Sequence, residues 1–425
     1  CFHGDGLKVW RVRCQLRRVW NFFNELFVKM NLLLEKADRL KNWTEIGEIK
    51  NNGNCSRKFR QRKSARLSSK IVVECAIRVA MDLSKFQPVY RQKQIFKWIF
   101  ADLIGDWEEA KNLPKDLRET LKRDLPLKVD AEMFYSKETE TTKALITLED
   151  QNPIETVLMR HGDGERGERR RNTVCVSCQV GCPMACDFCA TGKLGLKRNL
   201  NSWEILIQIL VFARLLKKEN DRVSNVVFMG MGEPMLNYTN VMDAIHVLND
   251  KDGLNIGARK MSISTCGLVY GIDKLAEEPL QVNLALSLHA PNDALREKIM
   301  PVNKQFSVDQ VLTALGNYIQ KTHRKVMIEY LLLKNLNDSP EQARELAHIL
   351  KKHLGKLFMV NLIVYNVTGE KYSAPRMETK HAFRYALEME GVEVTQRFRM
   401  GHDIDGACGQ LAAKQMKGSA EYVVA

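Results

Sequence analysis

Apolar residues recur at three-to-four spacing between about 81 and 125. Ile95, Phe96, Trp98, Ile99 and Leu103 come first, and Leu117 and Leu121 follow the break at Leu113-Pro114. That period belongs to helices that bury one face, and it predicts a small helical domain ahead of the main body. Residues 143–148 and 154–158 read as short strands. Next comes a polar, Gly-rich stretch, His161-Gly-Asp-Gly-Glu-Arg-Gly-Glu-Arg-Arg-Arg171, which reads as a flexible loop.

From 172 onward the pattern alternates. Val/Ile/Leu-rich runs at 173–178, 224–229, 260–264, 281–288, 325–332, 357–364 and 392–396 predict strands. Segments 202–218, 239–250, 307–321, 340–354 and 379–390 predict the helices between them. Such alternation gives parallel βα units, hence an α/β barrel or a doubly wound sheet. In barrels the chemistry sits on loops after the C-terminal ends of the strands. Cys182 to Cys189 follow the first strand, Gly230 to Pro234 the second and Ser264 to Gly267 the third. Ser287 to His289 follow the fourth, and Asn366 the sixth. Five strand ends thus face one mouth.

Charge separates the front of the chain from its body. The 425 residues carry a net charge of +14. Residues 1–80 hold 18 Lys+Arg against 7 Asp+Glu, so the excess lies almost wholly in an N-terminal extension. Its densest part, Arg57 to Arg66, has six cations and no acid. Such a run suits a solvated tail, a targeting address or a nucleic-acid contact. The sequence begins at Cys1, with Met30 and Met81 as internal candidates for a start. The extension is expected to be dispensable for chemistry. Because the body is nearly neutral, contact with nucleic acid must rest on local cations such as Arg91, Lys93, Lys97, Arg397 and Arg399. No run of about 18 apolar residues occurs, so no membrane helix is expected.

Five of the 11 cysteines, at 175, 178, 182, 186 and 189, fall within fifteen residues. In a chain this long they read as metal or redox chemistry in a reducing compartment, with the cytoplasm as the default. Cys182-Pro-Met-Ala-Cys186-Asp-Phe-Cys189 offers three soft thiolates on a tight loop, suited to an iron–sulfur cluster. Three ligands leave a coordination position open. Zinc is the alternative, through Cys175-x2-Cys178 and Cys186-x2-Cys189. Only seven residues separate those pairs, however, where a zinc ribbon has about 15–20. A zinc-containing RNA-binding module is therefore the non-enzymatic reading.

C-x3-C-x2-C with an aromatic residue before the last Cys resembles the signature of the radical S-adenosylmethionine (SAM) superfamily. Four further strings narrow the likeness: Phe228-Met-Gly-Met-Gly-Glu-Pro234, Ile263-Ser-Thr-Cys-Gly267, Leu286-Ser-Leu-His-Ala-Pro-Asn292 and Gly401-His-Asp-Ile-Asp-Gly-Ala-Cys-Gly-Gln-Leu411. Together with Cys175-Val-Ser-Cys-Gln-Val-Gly-Cys182 they resemble the RlmN/Cfr family of adenine-methylating RNA enzymes, from about 85 to 415.

That resemblance implies a partial TIM-like (β/α)6 radical SAM barrel with a small N-terminal helical domain. It divides the chain into an extension at 1–80, an RNA-binding accessory domain at 81–130 and linking strands and loop at 131–172. The barrel follows at 173–400, and a C-terminal loop and tail at 401–425. Cys182, Cys186 and Cys189 match the ligands of a [4Fe–4S] cluster. Gly232, Glu233, Ser264, Ser287, Leu288, His289 and Asn366 match positions that contact SAM. Cys408 matches the methyl-carrying cysteine, Cys175 its partner thiol, and Glu155 a general base. The implied product is 2-methyladenosine in 23S rRNA and in tRNA anticodon loops; carbon 8, or another radical SAM reaction on RNA, is the alternative. The implied partners are those RNAs and an electron donor such as flavodoxin or ferredoxin, with the enzyme a monomer away from membranes. Cys178 stands where the family pattern has Ser, and Asn366 lacks the family's flanking prolines.

Overall fold

The structure is a computed structural model that describes residues 83–162, 171–369, 371–412 and 421–424. The basic extension, the candidate starts Met30 and Met81, most of the Gly-rich loop and residues 413–420 lie outside the described residues.

The helical front consists of α1 (Val89–Phe100) and α2 (Lys115–Asp124). Their apolar spacing buries Ile95, Phe96, Ile99, Phe100 and Leu121. Trp107, between the two helices, is 1% exposed, and its indole N–H donates to the Leu125 carbonyl at 2.8 Å. Lys93 and Lys97 stay exposed, four residues apart on α1, and so share a helix face.

The body is one eleven-stranded sheet. Three antiparallel strands come first: β1 (Asp130–Tyr135), β2 (Thr141–Thr147) and β3 (Pro153–His161). β4 (Arg171–Cys175) turns the sheet parallel. A small hairpin, β5 (Gln179–Gly181) with β6 (Leu196–Asn199), stands apart as its own sheet. Then follow α3 (Ser202–Lys218), β7 (Asn225–Phe228), α4 (Tyr238–Asn249), β8 (Met261–Thr265), α5 (Val269–Ala276) and β9 (Asn283–Ser287). α6 (Asp293–Ile299), α7 (Val308–Thr322), β10 (Val326–Leu332), α8 (Pro340–Leu354), β11 (Phe358–Val364), α9 (Met377–Met389), β12 (Val394–Gln396) and β13 (Glu421–Val424) complete the chain. Across the sheet the order is β12-β11-β10-β9-β8-β7-β4-β3-β2-β1-β13.

The α/β fold expected from the alternation is present, as an open parallel sheet with helical crossovers. The sequence reading makes 143–148 and 154–158 short strands of a linking segment. The structure makes them, with β1, an antiparallel extension of the same sheet. Helix starts follow their caps: Asn201, Ser307 and Ser339 each accept from an N3 backbone N–H, and the N3 side chain bonds back.

The extension holds a buried ion pair. Lys143 on β2 and Glu155 on β3 lie 2.9 Å apart, with side chains 1% and 2% exposed. Breaking such a pair strands a charge in low dielectric. K143M or E155Q is therefore expected to lower unfolding free energy by about 3–5 kcal/mol, and K143M/E155L by less than either. Urea denaturation measures this; a loss under about 1 kcal/mol in the single variants would contradict it.

Candidate active site

The cysteine loop is shaped by two glycines. Gly181, just before Cys182, has φ of +77°, and an added Cβ would lie 1.9 Å from the Gly195 carbonyl oxygen. That carbonyl accepts the Cys182 N–H at 2.9 Å. Gly192 packs on the loop from behind, where an added Cβ would lie 2.9 Å from the Cys186 carbonyl oxygen. The Cys189 N–H donates to the Cys186 carbonyl at 3.1 Å, and the Asp187 N–H to Ile299 at the end of α6 at 3.0 Å.

Cys182, Cys186 and Cys189 line one cavity at the C-terminal ends of the strands. Burial, with the neighbouring thiols and Glu233, pushes Cys182 up to about 12 and Cys186 further. Ligation by soft metal removes such protons. Among the described residues, no three His, Cys, Asp or Glu side chains converge as ligands of a single ion do. Three thiols spread around a cavity suit the corners of an iron–sulfur cube better than one zinc. The donor set and its setting fit a [4Fe–4S] cluster.

The wall opposite is built from the next strand ends. Gly232 has φ of +101°, and an added Cβ would lie 2.6 Å from Gln179 Cβ, so only glycine fits there. Glu233 is 3% exposed, and its two carboxylate oxygens accept from the Met235 N–H at 3.0 Å and the Cys266 N–H at 2.8 Å. Burial pushes its pKa up against those bonds. Ser264 and Ser287 both line the cavity, their hydroxyls 3.3 Å apart.

His289 has φ of +59° and lies edge-on to Phe188, with ring centroids 5.1 Å apart. Its Nδ1 accepts from the Leu331 N–H at 3.0 Å. Burial, then Arg296, pulls its pKa down to about 3. It is a neutral imidazole with Nε2 as its remaining donor. Asn366 gives its amide N–H to the Cys408 carbonyl at 3.1 Å, while its Oδ1 is buried with no partner. That orphan acceptor in the cavity wall fits a ligand's donor group. Leu288 differs from the rest. It is fully buried and lies behind the wall, its backbone N–H donating to the Glu329 carbonyl.

Cys175 and Cys408 line the same cavity. Cys175 packs among Val157, Met159, Met231 and Leu411. Burial pushes its thiol up to about 12, with Arg397 pulling down and the Cys408 site pushing up. Cys408 is exposed, on a segment stitched to the cysteine loop. The Ala190 N–H donates to the Gly409 carbonyl at 2.8 Å and the Thr191 hydroxyl to the Leu411 carbonyl at 2.6 Å. The Ala412 N–H reaches the Glu155 carboxylate at 2.7 Å. With both its oxygens engaged, by Lys143 and by Ala412, Glu155 stands outside the cavity wall.

Three charged groups sit where sequence reasoning did not place them. Arg397, read there as a surface cation for RNA, is in the cavity wall. Burial opposes its charge, but the Cys408, Glu329 and Cys175 sites outweigh that and hold its pKa above the ordinary value. Arg399 lines the rim of the same wall while staying exposed, donating to the Tyr365 carbonyl at 2.5 Å. Glu329 is 3% exposed in the same wall; Asn361 donates to one oxygen at 2.8 Å and the other has no hydrogen-bond partner. Strand register does announce it. Ser287, Glu329, Asn361 and Thr395 are paired across β9 to β12 as one polar row.

Comparison with known proteins identifies the family. Residues 176–347 match the Radical SAM superfamily, and residues 86–126 match the ribosomal RNA large subunit methyltransferase N-terminal domain. A probable dual-specificity RNA methyltransferase RlmN from Dictyoglomus thermophilum is 44% identical over 337 residues, covering 79% of this chain and 94% of the relative. One of the same name from Carboxydothermus hydrogenoformans is 44% identical over 329 residues, covering 76% and 92%. The crystal structure of a radical SAM methyltransferase from Sphaerobacter thermophilus superposes with a TM-score of 0.74 at 41% identity, covering 81% of this chain and 98% of that one. At such identity over most of both chains, the kinship is not confined to the barrel. The chain belongs to the RlmN family of radical SAM RNA methyltransferases, enzymes that work with a [4Fe–4S] cluster and S-adenosylmethionine.

Proposed function

We propose that this enzyme methylates carbon 2 of adenosine in 23S rRNA and in tRNA anticodon loops, with Cys408 carrying the methyl group and Cys175 releasing the product. The observation that carries the reading is the placement of both thiols in the wall of the cavity that Cys182, Cys186 and Cys189 line. Adenine carbon 2 is electron-poor and a weak target for an electrophilic methyl group, so a radical route suits it. When bound, the cluster supplies the electron that cleaves SAM to a 5′-deoxyadenosyl radical.

The chain's own residues supply the rest. Cys408 takes a methyl group from a first SAM, losing its thiol proton. Hydrogen abstraction makes that S-methyl a methylene radical, which adds to the adenine ring. The adduct would lose its ring proton to solvent and return one electron to the cluster, which restores the aromatic ring. The Cys175 thiol then attacks the Cys408 sulfur, breaking the carbon–sulfur bond; its proton passes to the freed carbon, and a disulfide remains to be reduced. Gly232, Glu233, Ser264, Ser287, His289 and Asn366 hold SAM, while Leu288 supports the wall from behind, its N–H and carbonyl taken by Glu329 and Arg296. Glu155 we assign to holding Ala412, and through it the Cys408 segment, because Lys143 and Ala412 already occupy its carboxylate. It is a positioning residue.

An enzyme that acts on a base must take it out of the stack. Phe398, 86% exposed at the cavity rim between Arg397 and Arg399, suits stacking on a splayed base. Residues 81–130 form the RNA-binding accessory domain, with Lys93 and Lys97 as phosphate contacts. Residues 131–172 link it to the barrel at 173–400, and 401–425 carry Cys408. The electron donor is a flavodoxin or ferredoxin, and the enzyme works as a cytoplasmic monomer. Among the described residues no helix is long and apolar enough to cross a membrane.

The deciding experiment incubates reconstituted enzyme with unmodified 23S rRNA fragments and tRNA, then identifies nucleosides by mass spectrometry. The expected product is 2-methyladenosine in both RNAs. 8-Methyladenosine would overturn the carbon assignment, and product in one RNA alone would overturn the dual target.

A further inference from the structure

Behind the cavity wall lies a buried cation with no acid beside it. Arg296, on α6, is 0% exposed. Its Nη2 donates to the Cys266 carbonyl at 2.5 Å and the Ser287 carbonyl at 3.4 Å. Its Nη1 donates to Asn303 Oδ1 at 3.1 Å and the Phe306 carbonyl at 3.4 Å, and its Nε to the Leu288 carbonyl at 3.2 Å. Every one of these acceptors is neutral. The nearest carboxylates stand one group away: Glu233 holds the Cys266 N–H at 2.8 Å, and Asp293 holds the Asn303 amide at 2.9 Å.

A buried charge without a counter-charge is costly, and a guanidinium does not escape that cost by shedding its proton. Carbonyl dipoles offset part of it. The rest calls for negative charge nearby, and the architecture says where. Cys266 and Met300 line the cavity; the Cys266 carbonyl accepts from Arg296, and the Met300 N–H donates to the Arg296 carbonyl at 2.7 Å. The cysteine loop rests on the same helix through Asp187 and Ile299. The Cys186 and Cys266 sites both feel the Arg296 charge.

We propose that Arg296 is the built-in counter-charge of the Cys182–Cys186–Cys189 centre and sets the potential at which that centre accepts an electron. Three thiolates make the centre anionic, and reduction adds one more negative charge. A fixed cation a few residues behind the wall stabilises the reduced form more than the oxidised one, since cluster potentials follow local net charge, hydrogen bonding and exposure. Arg296 touches no substrate. It acts through the electron-accepting step alone, bringing the centre within reach of its donor. The inference rests on the ligand assignment of the three cysteines.

The test compares wild type, R296Q and R296K as full chains, reconstituted anaerobically and titrated against redox mediators while electron paramagnetic resonance follows the reduced cluster. R296Q removes the charge; R296K keeps it but loses the forked hydrogen bonds. Both are expected to melt at lower temperature. Only R296Q is expected to lower the midpoint, by at least tenfold in the equilibrium constant for reduction, about 59 mV for one electron. R296K should stay within about twofold of wild type. A loaded R296Q with an unshifted midpoint overturns the inference and leaves Arg296 as glue between strand ends. If R296Q does not load, R296K still decides, because a tenfold fall there excludes charge as the cause. Cluster loss from the Cys182, Cys186 and Cys189 variants tests the ligand assignment separately: if they kept full clusters, that assignment would fall first.

Discussion

Alanine at Cys182, Cys186 or Cys189 will leave the purified protein without its four irons and four sulfides, and RNA methylation will fall to background. The expectation follows from the loop geometry. Gly181 and Gly192 clamp the chain so closely that no neighbouring residue can move in to replace a lost thiolate. Cys178 and Cys266, the nearest spare thiols, are 2% and 6% exposed. Cys178 stands outside the cavity wall, held by its N–H to the Met231 carbonyl and by its own carbonyl, which accepts from Leu200 and Asn237. Cys178→Ala should therefore keep a full cluster and turnover within about twofold, costing at most about 1 kcal/mol for a small buried group. Iron and sulfide analysis after anaerobic reconstitution reads both outcomes. A full cluster in any one of the three ligand variants, or its loss from Cys178→Ala, would sink the assignment.

The second large effect separates two thiols that sit in one wall. Without Cys408 there is no methyl acceptor, so neither a methylated protein nor an RNA adduct forms. Without Cys175 the methylene radical still adds to adenine, but nothing attacks the Cys408 sulfur and the carbon–sulfur bond persists. Cys175→Ala should stop after a single turnover, with RNA covalently attached to Cys408 and shifted on a denaturing gel. Among the described residues no other thiol can stand in: apart from the three ligands, Cys266 alone shares that wall with the pair, and its backbone N–H, donating to the Glu233 carboxylate at 2.8 Å, fixes it on the loop after β8. A Cys175→Ala enzyme that releases methylated RNA at the normal rate would refute the resolving role.

What the sequence disclosed and what it hid divide along a physical line. β10 and β11 were legible because Val326 to Leu332 and Phe358 to Val364 are apolar runs buried on both faces, as parallel strands with helical cover must be. α5 and α6 were missed because eight and seven residues give too little periodicity to register. β4 was read through 178 but ends at Cys175: the Cys178 and Gln179 N–H groups leave the ladder for the Met231 carbonyl. The cysteine loop and the motif residues could be found because their spacing along the chain is itself the signal. Lys143, Glu329, Arg397 and Arg296 carry no such spacing. Their meaning comes from burial and from partners on other elements, which only the folded chain brings together.

The open edge of the sheet has a consequence for how the enzyme works. β12 and β13 lie at opposite ends of the sheet order, so no strand ladder seals the mouth. The segment after β12 spans that gap, from the Arg397 N–H on Leu362 to the Ala412 N–H on Glu155, with the Cys408 sulfur between them. Its anchors are scattered hydrogen bonds, each worth about 1 kcal/mol, and small apolar contacts such as Ile404 with Phe134 and Leu145, whereas β10 and β11 are joined by a seven-residue parallel register. Local opening draws on the weakest anchors first. On the proposed mechanism, opening of this tether admits the nucleotide and exposes the Cys175–Cys408 disulfide to its reductant, while the scaffold stays folded.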